Sequence, residues 1–230
     1  MKLATRRRRI PLPGGGNVSA VVALPPGFKR AGSAPAVILA HGAGADMTSP
    51  FMSAVQAGLA RAGFVAVKFN FPYTEARRRA PDPRPVLEAC YRAVLEAVRR
   101  DRRLAPPWIA IGGKSMGGRI ASHLVAAGAP ARALVLLGYP LHPAGSPERL
   151  RVDHLPSVGV PTLFVQGTRD PLCDLALLRP VLARMPRAKL HTVEGGDHSL
   201  RLPRRSGRDD ADVWSEVAAA VARWLETLSA

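Results

Sequence analysis

Short apolar runs alternate with longer amphipathic stretches along most of this chain, and few architectures accommodate that rhythm. The apolar runs are VSAVVALP (Val18–Pro25), AVILAHG (Ala36–Gly42), FVAVKFNF (Phe64–Phe71), WIAIGG, ALVLLGYP, PTLFVQG and AKLHTVEGG. Their length and their β-branched and aromatic content predict strands. Between them, helices are expected near Ser49–Ala62, Pro83–Arg103, Met116–Ala127, Leu175–Met185 and Asp210–Leu228. In the second of these, Leu87, Cys90, Tyr91, Val94 and Val98 recur at helical spacing, and Asp82-Pro83 supplies a start signal. Strands alternating with helices predict an α/β fold, a mostly parallel sheet covered on both faces.

At 230 residues and 47% hydrophobic, the chain can bury one full core, so a single domain over residues 1–230 is expected. No apolar run approaches the roughly 18 residues of a membrane span. The N-terminus is basic and contains Arg7-Arg8, but Pro13-Gly14-Gly15-Gly16-Asn17 interrupts the apolar segment that an export signal needs. Two strands joined by a turn, in a cytoplasmic protein, are expected there. The cysteines, Cys90 and Cys173, have no metal-binding spacing, so unpaired thiols are expected.

The net charge is +16, with 28 arginines against 5 lysines. Such a balance invites a polyanion partner. The basic groups are spread over Arg6–Arg9, Arg77–Arg79, Arg99–Arg103 and Arg201–Arg208, however, and aromatics make up only 5%. Without aromatic interleaving to stack bases, no specific nucleic-acid partner is expected. Arg6–Arg9 are read instead as charge on an edge strand, where it opposes edge-to-edge pairing.

The stretch AIGGKSMGGRIA (Ala110–Ala121) poses the functional question. GGKS resembles the end of a phosphate loop, but that motif needs a glycine five residues before Gly113, where Trp108 stands. The pattern Gly113-Lys114-Ser115-Met116-Gly117 fits another template, a serine pushed out on a tight strand-to-helix turn. The following helix would offer the Met116 N–H to a developing oxyanion. The turn His41-Gly42-Ala43-Gly44, after an earlier strand, is expected to bring a second donor, Ala43 first and Gly44 next. His41 itself is read as a structural histidine bonding loop carbonyls.

A serine nucleophile needs a base and an acid. Asp170 follows PTLFVQG and His198 follows AKLHTVEGG, 55 and 28 residues apart along the chain, so both fall at carboxyl-terminal strand ends with Ser115. Asp174 and Asp197 compete as acids but read better as orienting or surface groups. The expected chemistry is acyl transfer to Ser115, with His198 as base and Asp170 holding the imidazole. It calls for no metal or organic cofactor. About twenty residues separate ALVLLGYP from PTLFVQG, too few for a cap, so the pocket should be open.

LAHGAGADMTSPFM, FNFPYTEARRRAPDP, GGKSMGGRIAS, LLGYPLHPAGSPERLR, PTLFVQGTRDPL and GGDHSL together resemble an α/β-hydrolase-like family close to the dienelactone hydrolases. That family includes bacterial proteins, a vertebrate testis-expressed protein and a subunit of the NSL histone-acetyltransferase complex. The resemblance runs from about Leu12 to Leu228 and implies an eight-stranded sheet with strand 2 antiparallel and a triad at Ser115, Asp170 and His198. Serine stands where the dienelactone hydrolases carry cysteine, so their substrate is not carried over. Some eukaryotic relatives serve as interaction modules, which sets a non-catalytic module beside the small-molecule hydrolase.

Three further positions are candidates for contact with substrate. Lys114 either pairs with a buried carboxylate or touches substrate. Arg119, one turn along the serine helix, either clamps a substrate carboxylate or forms a surface ion pair. Tyr73, with Arg77–Arg79, lies on a loop that can line the pocket.

Overall fold

The computed structural model describes residues 3–228. Eight strands form one sheet in the order β1-β2-β4-β3-β5-β6-β7-β8. They are β1 (Thr5–Pro11), β2 (Asn17–Ala23), β3 (Ala36–Ala40), β4 (Val65–Phe69), β5 (Ile109–Lys114), β6 (Ala133–Leu137), β7 (Thr162–Gly167) and β8 (Ala188–Val193). Only β2 runs against its neighbours; from β4 to β8 every pairing is parallel. β3, β4 and β6 are buried at every position, as strands covered on both faces must be.

The covering helices are α1 (Pro50–Arg61), α2 (Pro72–Glu75), α3 (Arg84–Arg99), α4 (Met116–Ala126), α5 (Leu175–Ala183) and α6 (Asp210–Glu226). Two cores result. One sheet face is packed by Phe51, Val55 and Leu59 of α1 and Trp214, Val217 and Val221 of α6. The other is packed by α3, α4 and α5 through Leu87, Tyr91, Ile120, Leu124 and Leu178. Side-chain caps fix the helix starts: Ser49 accepts from Met52 N–H, Asp174 from Ala176 N–H and Asp209 from Ala211 N–H.

The strands and long helices fall where the periodicity puts them. α3 ends at Arg99, four residues before the expected Arg103; the chain turns at Asp101, whose carbonyl accepts from Leu104 N–H and Ala105 N–H. The short α2 is an addition. It lies in FNFPYTEARR, where Pro72 at the first helical turn starts a helix too short to show a period. Asp174, read from the sequence as an orienting or surface group, is the cap of α5.

β1 is a sheet edge, and Arg8 and Arg9 there pair with Asp101 and Glu75, each at 2.9 Å. Cys90 and Cys173 are buried free thiols, each pushed up to about 12 by burial. Between β6 and β7 the chain forms only a 3-10 turn, Leu155–Ser157, so no cap covers the sheet. Among the described residues no helix is long and apolar enough to cross a membrane.

Candidate active site

The carboxyl ends of β3, β5, β7 and β8 supply the side chains and amides that meet at one rim of the sheet. At the end of β5, Ser115 sits at φ 48° and ψ −114°, backbone geometry that a non-glycine residue holds only under strain. The turn is tight because β3 presses against it. A Cβ on either Gly113 or Gly117 would stand 2.4 Å from the Ala40 carbonyl oxygen, which excludes any side chain at both positions. Ser115 N–H is tied to Leu137 O at 2.9 Å, and its own carbonyl accepts the first bond of α4 from Arg119 N–H at 3.0 Å.

His198 arrives on the loop after β8, and its Nε2 lies 2.8 Å from Ser115 Oγ. Its Nδ1 lies 2.8 Å from Oδ2 of Asp170, whose side chain is fully buried after β7. A carboxylate only accepts, so Nδ1 carries the proton and Nε2 is free to accept from the serine hydroxyl. Asp170 also accepts from Gln166 Nε2 on Oδ2 and from Leu172 N–H on Oδ1 at 2.8 Å. Gln166 is held in turn by accepting from Tyr139 N–H at 2.9 Å.

The competing acids do other work. Asp197 Oδ1 accepts from Ser199 N–H and Arg201 N–H at 2.8 and 2.9 Å and so shapes the His198 loop. Asp174 caps α5. His41 is fully buried; its Nδ1 donates to Gly42 O at 2.8 Å and its Nε2 accepts from Phe71 N–H at 3.2 Å. Burial lowers its pKa, which keeps it a neutral pin between β3 and α2.

Ser115 and His198 open into a pocket of about 230 Å³ walled by Gly42, Ala43, Ala45, Pro50, Phe51, Met52 and Trp214. Nothing from the segment between β6 and β7 borders it. Arg201 stands on its rim, paired with Asp210 at 3.0 Å and lying over the Trp214 ring at 5.4 Å. Met116 opens α4, and neither its N–H nor that of Ala43 meets an acceptor among the described residues. Gly44 faces an adjoining basin of about 530 Å³ instead.

The remaining candidates separate. Tyr73 is buried, and with Thr74 and Arg77–Arg79 it borders that basin, which shares Ala45 with the serine pocket. Its hydroxyl has no hydrogen-bond partner among the described residues. Arg119 does not line the serine pocket, and no described carboxylate lies within 4.0 Å of it, so the surface ion pair is not formed. It stands near Arg84, Arg151 and the stacked rings of His123 and His154, whose pKa values drop to about 4 through burial and neighbouring charge. Lys114 is half-buried with its Nζ enclosed, but it makes no carboxylate contact: Nζ has no hydrogen-bond partner among the described residues. The pairing is not formed: Asp170 and Asp197 act on Lys114 through space but neither comes within ion-pair distance of it.

Gln166 was not among the expected site residues. A glutamine inside the otherwise apolar run TLFVQG, four residues before Asp170, is the signal that marks it. Asp197, read from the sequence as an orienting or surface group, orients the His198 loop through its bonds to Ser199 N–H and Arg201 N–H.

A sheet of this topology, with a strained serine between β5 and α4, defines the α/β-hydrolase fold. Residues 33–226 match the alpha/beta hydrolase domain family, and the chain belongs to it. Among solved structures it is similar to a dienelactone hydrolase from Anabaena variabilis, with a TM-score of 0.75 and 18% identity over 99% of both chains. Est1E from Butyrivibrio proteoclasticus gives 0.76 and 16% identity, covering 96% of this chain and 98% of that one. An α/β serine hydrolase without a lid from Xanthomonas campestris gives 0.73 and 21%, covering 97% and 96%. At these identities the likeness is one of fold.

Proposed function

We propose that this protein is a cofactor-independent serine hydrolase that cleaves an ester or related acyl compound through a covalent acyl-enzyme. The single observation that carries the reading is the unbroken chain of two 2.8 Å contacts from Ser115 through His198 to Asp170.

In this reading Ser115 Oγ attacks the acyl carbon while His198 Nε2 takes its proton. Asp170, fixed by Gln166 and the Leu172 amide, holds the tautomer and stabilises the imidazolium. The N–H groups of Met116 and Ala43 receive the oxyanion, and losing one such donor typically costs about 10²–10³ in rate. His198 then returns the proton to the leaving group, and water, activated by the same imidazole, releases the acid. A small pocket with apolar walls and no lid suits short acyl groups, and the adjoining basin beside Tyr73 and Arg77–Arg79 offers room for the remote part of the substrate. Two free buried thiols suit a reducing, cytoplasmic setting.

A fluorophosphonate probe tests the proposal. Labelling of the folded protein that disappears in Ser115→Ala supports the hydrolase. A folded wild-type protein that is never labelled favours an interaction module on the same fold.

A further inference from the structure

Lys114 is the last residue of β5, and its stem lines the serine pocket between Gly42 and Ser115. Its tip goes elsewhere. Nζ is shut off from solvent and unpartnered among the described residues, and it is seated against Gly138 just past the end of β6. A Cβ on Gly138 would stand 2.8 Å from Lys114 Nζ and 3.0 Å from His198 O, so the missing side chain makes the seat that holds the tip under the His198 loop. An ammonium enclosed without a single hydrogen bond is costly, and a hydrophobic residue would fill the same space at less cost.

Charge around the seat gives the lysine a role. Asp170 and Asp197 flank His198, and both act on Lys114 through space, Asp170 the more strongly. From β3, His41 is turned away toward Gly42 O and Phe71 N–H. Arg201, on the same loop as His198, is paired with Asp210. The local balance is therefore two carboxylates, one ammonium and one imidazole. Without the ammonium, two anions would act on the imidazole alone and favour its protonated form, which cannot accept the serine proton.

Resting on the hydrolase reading, we propose that Lys114 is a positioning residue for the triad: its charge offsets Asp170 and Asp197 and keeps His198 in the unprotonated form that a base requires. Burial pushes Lys114 down to about 8 while the two carboxylates hold it up, so the ammonium persists through neutral pH. Above that range the offset is lost, and the cluster carries the same charge as one lacking the lysine.

The test is the pH dependence of fluorophosphonate labelling at Ser115, with the His198 imidazole followed in parallel by NMR. Lys114→Met should move the acid limb of the labelling rate upward by on the order of one pH unit, a roughly tenfold loss below the limb. Wild type and variant should converge at alkaline pH. Asp197→Asn keeps an amide oxygen for the Ser199 and Arg201 N–H groups but removes the charge, and should move the limb the opposite way. The double variant should return close to wild type, since charges that offset one another compensate when both are removed. Acid limbs that superimpose in folded Lys114→Met and Asp197→Asn would overturn the assignment. Should Lys114→Met not fold, Lys114→Gln, equally uncharged and similar in length, takes its place, and an acid limb left at the wild-type pH overturns the assignment. A wild-type protein that never labels sinks the hydrolase reading alone, because the imidazole titrations still decide the role of Lys114.

Discussion

The Tyr91 hydroxyl of α3 reaches the sheet backbone under the serine turn, lying 2.7 Å from the carbonyl oxygens of both Ile38 and Gly112 and 2.9 Å from Gly112 N. Two strands that carry the site, β3 and β5, are thus braced from the same side chain. Tyr91 is fully buried, so removing its oxygen strands polar backbone in an apolar core. Tyr91→Phe should lower stability by about 1–3 kcal/mol, read from chemical denaturation. An unchanged midpoint would show that the hydroxyl braces nothing.

Gly117 tolerates no side chain. Its Cβ would meet three backbone atoms within 2.6 Å, and backbone of a central strand cannot move aside cheaply. Gly117→Ala should therefore cost at least about 2 kcal/mol and abolish Ser115 labelling in whatever fraction still folds. Full labelling at wild-type stability would contradict the packing.

Asp170→Asn keeps the volume and removes the acceptor that fixes the His198 tautomer. Hydrolysis should fall on the order of 10⁴-fold with little change in thermal midpoint. A drop of only a few-fold would move the acid role elsewhere, with Asp197 the next residue to test.

Lys114 also makes a stability prediction of definite sign. Its folded pKa is depressed from 10.5 to about 8, so folded and unfolded states are both protonated below 8 and the folded state bears the whole burial cost there. Between about 8 and 10.5 the unfolded chain binds the extra proton, and stability rises with pH. Lys114→Met should accordingly stabilise the fold at neutral pH, by up to about 3 kcal/mol, with the gain fading as pH passes 10. A variant less stable than wild type at pH 7 would refute it.

Chain length of the acyl group should matter in one direction. With a 230 Å³ pocket and no covering segment, kcat/KM on p-nitrophenyl esters should fall as the acyl chain lengthens. A steady rise toward long chains would show that another surface shelters the substrate.

Local pattern alone determined much of this protein. The β-branched runs, the helical spacing of Leu87 to Val98, and GGKSMGG directly after a strand are statements about neighbours in the chain, and backbone sterics act on neighbours. The order of Ser115, Asp170 and His198 at strand ends was legible for the same reason, since a parallel sheet delivers all its strand ends to one rim. Where a side chain points once elements pack was not. Arg119 lies a single turn from Ser115 yet faces His154, because the rotation of α4 is set by Ile120, Leu124 and the strands beneath it. The Lys114 tip lies under His198 because Gly138, just past a strand apart in sequence, leaves a space there. Tyr91 reads as one more apolar contact until its hydroxyl meets β3 and β5. Such placements depend on side-chain packing between segments distant in sequence, and only the folded arrangement brings those segments together.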